Sequence, residues 1–247
     1  MSCHVYTIDL EKDGFHGVYT LLNIDPMEAV WSIILFIWVM IVVQPITLSF
    51  YRWAKKRGIR ENKIIYYNRK IIHILAGGLV ALLVPFLFKT PLLPFILAII
   101  LAALTYIPHR TGKLLYWFQV EDNMYEVNFC LMWGIVITLS WLVFGMNQQA
   151  YWYGVIPVAF MSFGDAVTGI VRNILYGRRT KSWIGNLAML AVTVPIGAII
   201  GIPGVVAGAV VSIVEHFEIP GIIDDNITVP LVGFLTILGL THLPITI

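Results

Sequence analysis

Charged residues are scarce in this chain. Only 12% of its 247 residues are Asp, Glu, Lys or Arg, whereas 59% are hydrophobic, and the mean hydropathy is +0.84. A soluble domain carries about twice that fraction of charge, because its surface has to be hydrated. The composition therefore excludes a water-soluble globular enzyme and predicts a protein embedded in a lipid bilayer.

Cysteine is almost absent as well. Cys3 lies in a polar segment and Cys130 in an apolar run, which excludes a disulfide framework and a cysteine-based zinc site. The first 26 residues also lack the basic segment of a signal peptide, since their charges are mostly acidic. We interpret residues 1–26 as a polar N-terminal tail and residues 27–247 as a single transmembrane domain that carries the chemistry of the protein.

Long apolar runs recur along the rest of the chain. A transmembrane helix needs about 20 predominantly apolar residues. Six runs approach that length, at residues 27–50, 71–88, 91–107, 128–144, 151–171 and 184–202, and two weaker runs follow at 205–214 and 227–243. The sequence therefore predicts an all-α, polytopic membrane protein with about eight transmembrane helices.

The basic residues indicate how these spans are oriented. The connection at residues 51–70 holds eight of the sixteen Lys and Arg residues, and the positive-inside rule places it in the cytoplasm. Alternation then puts the N-terminus outside and the basic segments near Arg110 and Arg172 inside. Because the outer connections at 146–150 and 201–204 carry no charge, we expect the active site at the cytoplasmic face.

Asp165 lies within the fifth predicted span, roughly 10 Å from its cytoplasmic end. An ionised carboxylate costs about 2.5 to 3.5 kcal/mol at the centre of a bilayer, so it indicates a function unless it forms a structural ion pair with a neighbouring helix. Thr168, Gly169 and Arg172 share its helix face at i+3, i+4 and i+7. This pattern is typical of the wall of a polar cleft.

The segment 177–186, with the sequence GRRTKSWIGN, follows directly. Its three cations, the hydroxyl groups of Thr180 and Ser182, and the backbone amides of the next helix suit a phosphate group. Anchoring at the membrane surface would explain the same basic composition. The spacing G-x-x-x-x-G-K-[ST] does not occur in the sequence, which excludes a P-loop nucleotide enzyme.

Two further polar clusters adjoin predicted spans. Arg69, Lys70 and His73 lie at the mouth of the second span, where the two cations alternatively extend to lipid headgroups. The segment 215–226, EHFEIPGIIDDN, offers carboxylates and an amide, which are the oxygen ligands that Mg²⁺ prefers. A helix cap is the alternative role for one of its last two aspartates.

Together these clusters resemble the membrane CTP-dependent lipid kinases. That family comprises polyprenol (dolichol), phytol and farnesol kinases and a CTP-using diacylglycerol kinase, and it is related to the phosphatidate cytidylyltransferases. Four short motifs match in order over about residues 64–233: R-K-x-x-H at Arg69, Lys70 and His73; G-D-A at Gly164, Asp165 and Ala166; K-S-x-x-G at Lys181, Ser182 and Gly185; and D-D-N with a later proline at Asp224, Asp225, Asn226 and Pro230.

The chain departs from the family pattern at two places. Many relatives have E-G-S where this sequence has Ile-Gly-Asn at residues 184–186. The G-R-x-x-G that follows G-D-A in the family is reduced here to Arg172 and Gly177. Both departures concern contacts to the nucleotide.

The resemblance implies CTP as the phosphoryl donor, Mg²⁺ as the cofactor and a membrane isoprenoid alcohol as the acceptor. The expected catalytic residues are Asp165, Lys181 and Asp225, and the expected metal ligands are Asp165, Asp224, Asp225 and Asn226. Nucleotide binding is expected from Arg69, Lys70, His73, Gly164, Arg172, Lys181, Ser182 and Gly185. Asp165 has two alternative roles, as a metal or nucleotide contact or as the group that accepts the alcohol proton.

Two other functions use the same residues. A CDP-lipid synthase would bind the same nucleotide, but its acceptor would be a lipid phosphate, which needs a cationic pocket of its own. An ion-coupled transporter would use Asp165 as its coupling carboxylate, although the sequence has no inverted repeat and no polar outer entrance. The expected partners are CTP, the acceptor lipid and the bilayer, with no nucleic acid.

Overall fold

The computed structural model describes residues 24–177, 180–217 and 224–242. In these ranges the chain forms helices and no strands, which confirms the all-α part of the predicted fold class. Its eight continuous helices are α1 (Pro26–Lys56), α2 (Glu61–Leu87), α3 (Leu92–Thr111), α4 (Tyr125–Val143), α5 (Gln148–Tyr176), α6 (Trp183–Ile200), α7 (Ile202–Phe217) and α8 (Asp225–His242). Most of the predicted N-terminal tail lies outside the described residues.

Helices α1 to α6 are long and apolar enough to cross a membrane. Helix α7 is shorter, and the 18 residues of α8 begin with Asp225 and Asn226 and end with Thr241 and His242. Many large apolar side chains are exposed, such as Ile33 at 61% and Phe86 at 69%. Such side chains are expected on a surface that faces lipid.

Helix α5 lies at the centre of the bundle. In its most apolar 18-residue window 78% of the residues are buried, against 22% in α1 and 17% in α3. Val155, Ile156, Phe160 and Met161 of α5 are fully buried. The polar residues at the C-terminal end of the same helix are therefore surrounded by protein, not by lipid.

The basic connection predicted at residues 51–70 is mostly helical, so the first predicted span ended too early. Helix α1 continues to Lys56, α2 begins at Glu61, and only residues 57–60 join them. The helices continue here because residues 51–70 have an amphipathic pattern, which their high positive charge hides in a hydropathy profile. The cations from Arg52 to Arg60 are exposed. Apolar side chains of both helices form a small core with the α3–α4 connection, made of Tyr51, Ala54, Ile64, Trp117 and Phe118.

Three π-helical segments interrupt the long helices, at Val42–Ile46, His73–Gly78 and Phe160–Gly164. A π-bulge contains an extra residue per turn and is frequent at functional sites. The second segment begins at His73, the third ends directly before Asp165, and the two segments pack against each other. Both irregularities therefore adjoin the residues that the sequence singles out.

An exposed ion pair joins the start of α1 to the α2–α3 connection and makes stability depend on pH. Asp25 caps α1 by accepting from the Met27 amide at 3.0 Å, and its other oxygen accepts from Lys89 Nζ at 2.6 Å. The Lys89 ammonium lowers the pKa of Asp25, and Asp25 in turn raises the pKa of Lys89.

A carboxylate with a lowered pKa stabilises the fold above its unfolded-state pKa, and this contribution is lost as pH falls through the lowered value. We therefore expect Lys89→Gln to lower the melting temperature in detergent slightly at neutral pH. The difference from the wild type should vanish in strongly acidic buffer, where Asp25 is protonated. An equal difference at every pH would contradict this role of the pair.

Candidate functional site

A polar cavity of about 40 Å³ lies where α2, α5, α7, α8 and the segment before α6 meet. Seven of the twelve site residues predicted from the sequence line it, namely Arg69, Lys70, Asp165, Arg172, Lys181, Asp225 and Asn226. The other lining residues are Tyr66, Thr168, Gly169, Thr180 and Glu215. Four separate sequence motifs therefore converge on one cavity.

A buried ion pair forms part of the cavity wall. Lys70 Nζ of α2 lies 2.6 Å from Asp165 Oδ2 of α5, and the two side chains are 10% and 8% exposed. His73 Nδ1 lies 3.1 Å from the same oxygen. Asp165 therefore forms the ion pair with a neighbouring helix that the sequence left open as its alternative role. The pair nevertheless borders the cavity, so it can also act on a ligand there.

Gly169 leaves space for this pair. A Cβ atom at this position would collide with the Tyr66 hydroxyl and approach the Lys70 side chain. Asp165, Thr168, Gly169 and Arg172 all line the cavity, as their helical spacing predicts.

A second buried network surrounds Glu215, which is 2% exposed. Arg172 binds both of its oxygens, with Nη1 at 2.7 Å from Oε1 and Nη2 at 2.9 Å from Oε2. Lys181 Nζ donates to Oε1 at 2.6 Å. The sequence predicted that Glu215 belongs to an acidic, metal-binding edge, whereas in the structure it lies between two cations.

Arg172 uses all three guanidinium nitrogens in this network. Its Nε donates to the Ser182 carbonyl at 3.1 Å, and Nη2 also donates to Asn186 Oδ1 at 2.8 Å. Gly185 permits this position, because a Cβ atom there would overlap the guanidinium group. Arg172 therefore ties α5 to α6 and α7 in addition to lining the cavity.

The two adjacent aspartates before and in α8 have different environments. Asp224 caps the helix, because its Oδ1 accepts from the Asn226 backbone amide at 2.9 Å, and its Oδ2 accepts from Asn128 Nδ2 at 2.5 Å. Asp224 therefore has the helix-capping role that the sequence left open for one of these two aspartates. Asp224 does not line the cavity, whereas Asp225 and Asn226 do.

Asn226 is 1% exposed, and its Oδ1 has no hydrogen-bond partner among the described residues. Asn226 lines the same cavity as Asp165 and Asp225, and together these residues supply the hard oxygen donors that suit Mg²⁺. In the described ranges no three His, Cys, Asp or Glu residues cluster closely enough to form a metal centre. A Mg²⁺ ion here would therefore complete its shell with water and substrate oxygens.

The segment predicted to bind phosphate is placed only in part. Arg178 and Arg179 lie outside the described residues. Thr180 lines the cavity, and its buried Oγ1 has no hydrogen-bond partner in the described part of the chain. Ser182 directly precedes α6 outside the cavity lining, and its hydroxyl does not cap the helix. Gly164 also lies outside the lining, at a contact with Met189 and Thr193.

An apolar groove of about 100 Å³ lies next to the polar cavity, among α1, α2, α3 and α4. Leu35, Val39, Val80 and Leu101 are typical of its lining. Its polar lining residues include His73, Thr105 and Glu126. Glu126 accepts one hydrogen bond from Gln119 and pairs with His109 at 2.6 Å.

His73 connects the two regions. It lines the apolar groove, and its Nδ1 contacts Asp165, which lines the polar cavity. The family resemblance implied that His73 binds the nucleotide. In the structure it lies at the junction of the two regions and outside the lining of the polar cavity.

Several features of the site were not predicted from the sequence. Tyr66 belongs to none of the four motifs, Asn186 was noted only as a departure from the family pattern, and the contact of Arg172 with Glu215 joins residues 43 positions apart. Only one feature of the sequence pointed to the Glu126–His109 pair: a carboxylate and an imidazole lie at the ends of neighbouring apolar runs.

The chain matches no family model, no curated protein and no solved structure. The resemblance to CTP-dependent lipid kinases therefore rests on the four motifs, whose residues meet in and around the polar cavity.

Proposed function

We propose that the protein is a CTP-dependent kinase that phosphorylates the hydroxyl of a membrane isoprenoid alcohol of the dolichol, polyprenol, geranylgeraniol or phytol type. The observation that carries this proposal is the junction at His73 between an apolar groove and a polar cavity. A lipid kinase needs such a junction, because its acceptor comes from the bilayer and its donor from water.

The polar cavity offers the groups that phosphoryl transfer uses. The transition state is loose, so catalysis consists mostly of positioning and charge neutralisation. We assign the phosphate contacts chiefly to Arg69, Lys70 and Lys181, all of which line the cavity. Asp165, Asp225 and Asn226 would hold Mg²⁺, which supplies further positive charge to the phosphates when bound.

Lys181 is the cation best placed to exchange partners when CTP binds. Its side chain is 27% exposed, whereas that of Arg172 is 6% exposed and fixed by four hydrogen bonds. Lys181 can therefore turn from Glu215 to a phosphate oxygen without unpacking the helices. We assign Arg172 mainly to holding Glu215 and the start of α6 in place.

In the proposed reaction the alcohol oxygen forms a bond to the γ-phosphorus of CTP. The bond from that phosphorus to its bridging oxygen breaks, and CDP leaves with the electron pair. The alcohol proton is released to water. Lys70 and Lys181 stabilise the charge on the transferred group and on the leaving diphosphate.

The groove favours a neutral alcohol over a lipid phosphate. Among the described residues that line it there is no Lys or Arg, and Glu126 contributes a carboxyl group. A lipid phosphate would bring negative charge next to that carboxyl group, and no Lys or Arg of the groove lining would offset it. This charge pattern supports a kinase in preference to a CDP-lipid synthase.

We further propose that α7 and α8 also cross the bilayer, which gives eight spans with the N-terminus outside and the cavity at the cytoplasmic face. The support is the basic α1–α2 connection, which lies at the cavity end of α2. In a background with both native cysteines replaced by alanine, an impermeant maleimide should label Gln148→Cys in intact cells. It should leave Arg60→Cys unlabelled, and efficient labelling of Arg60→Cys would contradict this orientation.

A panel of acceptors tests the proposed activity. Purified protein in detergent with Mg²⁺ and labelled CTP should convert geranylgeraniol, phytol or dolichol to its monophosphate, and diacylglycerol should react poorly. Arg57→Gln is a suitable control variant, because Arg57 is exposed and lies over the Trp53 ring, outside the cavity. Failure to consume any isoprenoid alcohol would contradict the proposed function.

A further inference from the structure

The apolar groove has the dimensions of a site for one hydrocarbon chain. On α2 its lining extends from Ile72 to Val84, a helical rise of roughly 18 Å. Its volume is about 100 Å³, and α1, α2, α3 and α4 all contribute to its lining. A slot of this length and volume suits one extended chain, not two chains side by side.

The polar side chains of the groove define which end receives a headgroup. His73, Thr105 and Glu126 lie near the cavity end, whereas Val84 and Phe88 line the opposite end. Gln119 links two of these positions, since its Nε2 donates both to the Thr105 carbonyl and to Glu126. A lipid in the groove would therefore place its polar group near His73.

The orientation of the His73 ring is fixed from two sides. Its Nδ1 lies 3.1 Å from Asp165 Oδ2, and its ring stacks on Phe129 with centroids 4.3 Å apart. Gly77 makes the stack possible, because a Cβ atom there would collide with Phe129. With Nδ1 directed at Asp165, Nε2 is the ring nitrogen that His73 can offer to an occupant of the groove.

We propose that the groove binds one isoprenoid chain and that His73, through Nε2, hydrogen-bonds the acceptor hydroxyl and holds it beside the polar cavity. The identity of the substrate rests on the proposed function. The assignment moves His73 from the nucleotide to the acceptor, and it requires a hydrogen bond but no change in protonation. It also selects single-chain alcohols over diacylglycerol.

A pair of amide variants tests the contact. In His73→Asn the amide can replace Nδ1 beside Asp165 but does not reach the position of Nε2, whereas in His73→Gln it reaches that position. We expect His73→Asn to raise the KM for geranylgeraniol about tenfold, the effect of one lost hydrogen bond. His73→Gln should retain most of the affinity, and the KM for CTP should be unchanged in both. A raised KM for CTP with an unchanged KM for the alcohol would overturn the assignment.

Binding can be measured without turnover. A geranylgeraniol analogue with a photoactivatable diazirine on its chain, added to the wild type without CTP, should label peptides from α2 and α4. Excess geranylgeraniol should suppress this labelling, and excess diacylglycerol should not. Labelling that both lipids suppress equally, or that maps outside the groove, would overturn the proposal.

Groove-filling variants sharpen this result. Ala76→Phe puts a ring into the groove lining and should abolish labelling, whereas Leu79→Phe adds a ring at a position that is 38% exposed on the same helix and should not. Persistent labelling of folded Ala76→Phe would contradict the site. Labelling in the groove of a wild type that transfers no phosphoryl group from CTP would refute the proposed function and leave the lipid site intact.

Discussion

Lys70→Met is expected to destabilise the protein by about 3 to 5 kcal/mol, because it leaves the Asp165 carboxylate buried without its counter-ion. The ion pair joins the central helix α5 to α2, and each side chain is at most 10% exposed. Asp165→Asn should have a comparable effect, since it leaves the Lys70 ammonium buried.

The double variant Lys70→Met/Asp165→Asn should recover much of this loss, because neither charge remains. Unfolding in detergent, followed for the wild type, both single variants and the double variant, gives the coupling energy directly. Arg57→Gln is the matched control for the loss of an exposed cation and should change stability little. Additive losses in the double variant would contradict the role assigned to this pair, and none of the three site variants should retain activity.

Asp225→Asn is expected to reduce turnover about 100-fold or more while the protein stays folded. Asp225 lines the cavity together with Asn226, whose Oδ1 has no hydrogen-bond partner among the described residues. The substitution removes the charge assigned to Mg²⁺ and keeps nearly the same volume. Its effect should therefore appear in activity and in Mg²⁺ dependence.

Asp224→Asn is the matched control, because it makes the same chemical change one residue earlier. Asp224 caps α8, and asparagine is an equally good N-cap. We expect this variant to keep its stability and most of its activity, although the family resemblance includes Asp224 among the metal ligands. Equal loss of turnover in the two variants would show that Asp224 also belongs to the metal site.

Hydropathy and helical spacing predicted much of this architecture. Apolar runs gave the approximate position of each helix, since burial in lipid requires long apolar segments. They could not give the ends of α1 and α2, because amphipathic turns that carry many cations have low hydropathy. The common face of Asp165, Thr168 and Arg172 followed from the α-helical repeat alone.

The partners of the site residues were beyond such an analysis. Lys70 and Asp165 are 95 residues apart, and Arg172 and Glu215 are 43 apart, so only the packing of helices brings them together. The two aspartates at 224 and 225 look equivalent in sequence, and they differ only because α8 begins between them. The position of His73 between two cavities likewise depends on α3 and α4, which carry none of the motifs.

The identity of the transferred phosphorus tests the central claim most directly. Purified protein, Mg²⁺ and geranylgeraniol should be incubated in parallel with CTP labelled at the γ-phosphorus and CTP labelled at the α-phosphorus. A kinase will move the γ label into the lipid, leave the α label in CDP, and form lipid monophosphate and CDP in equal amounts. Transfer of the α label into the lipid with release of pyrophosphate would contradict the proposal and identify a CDP-lipid synthase instead.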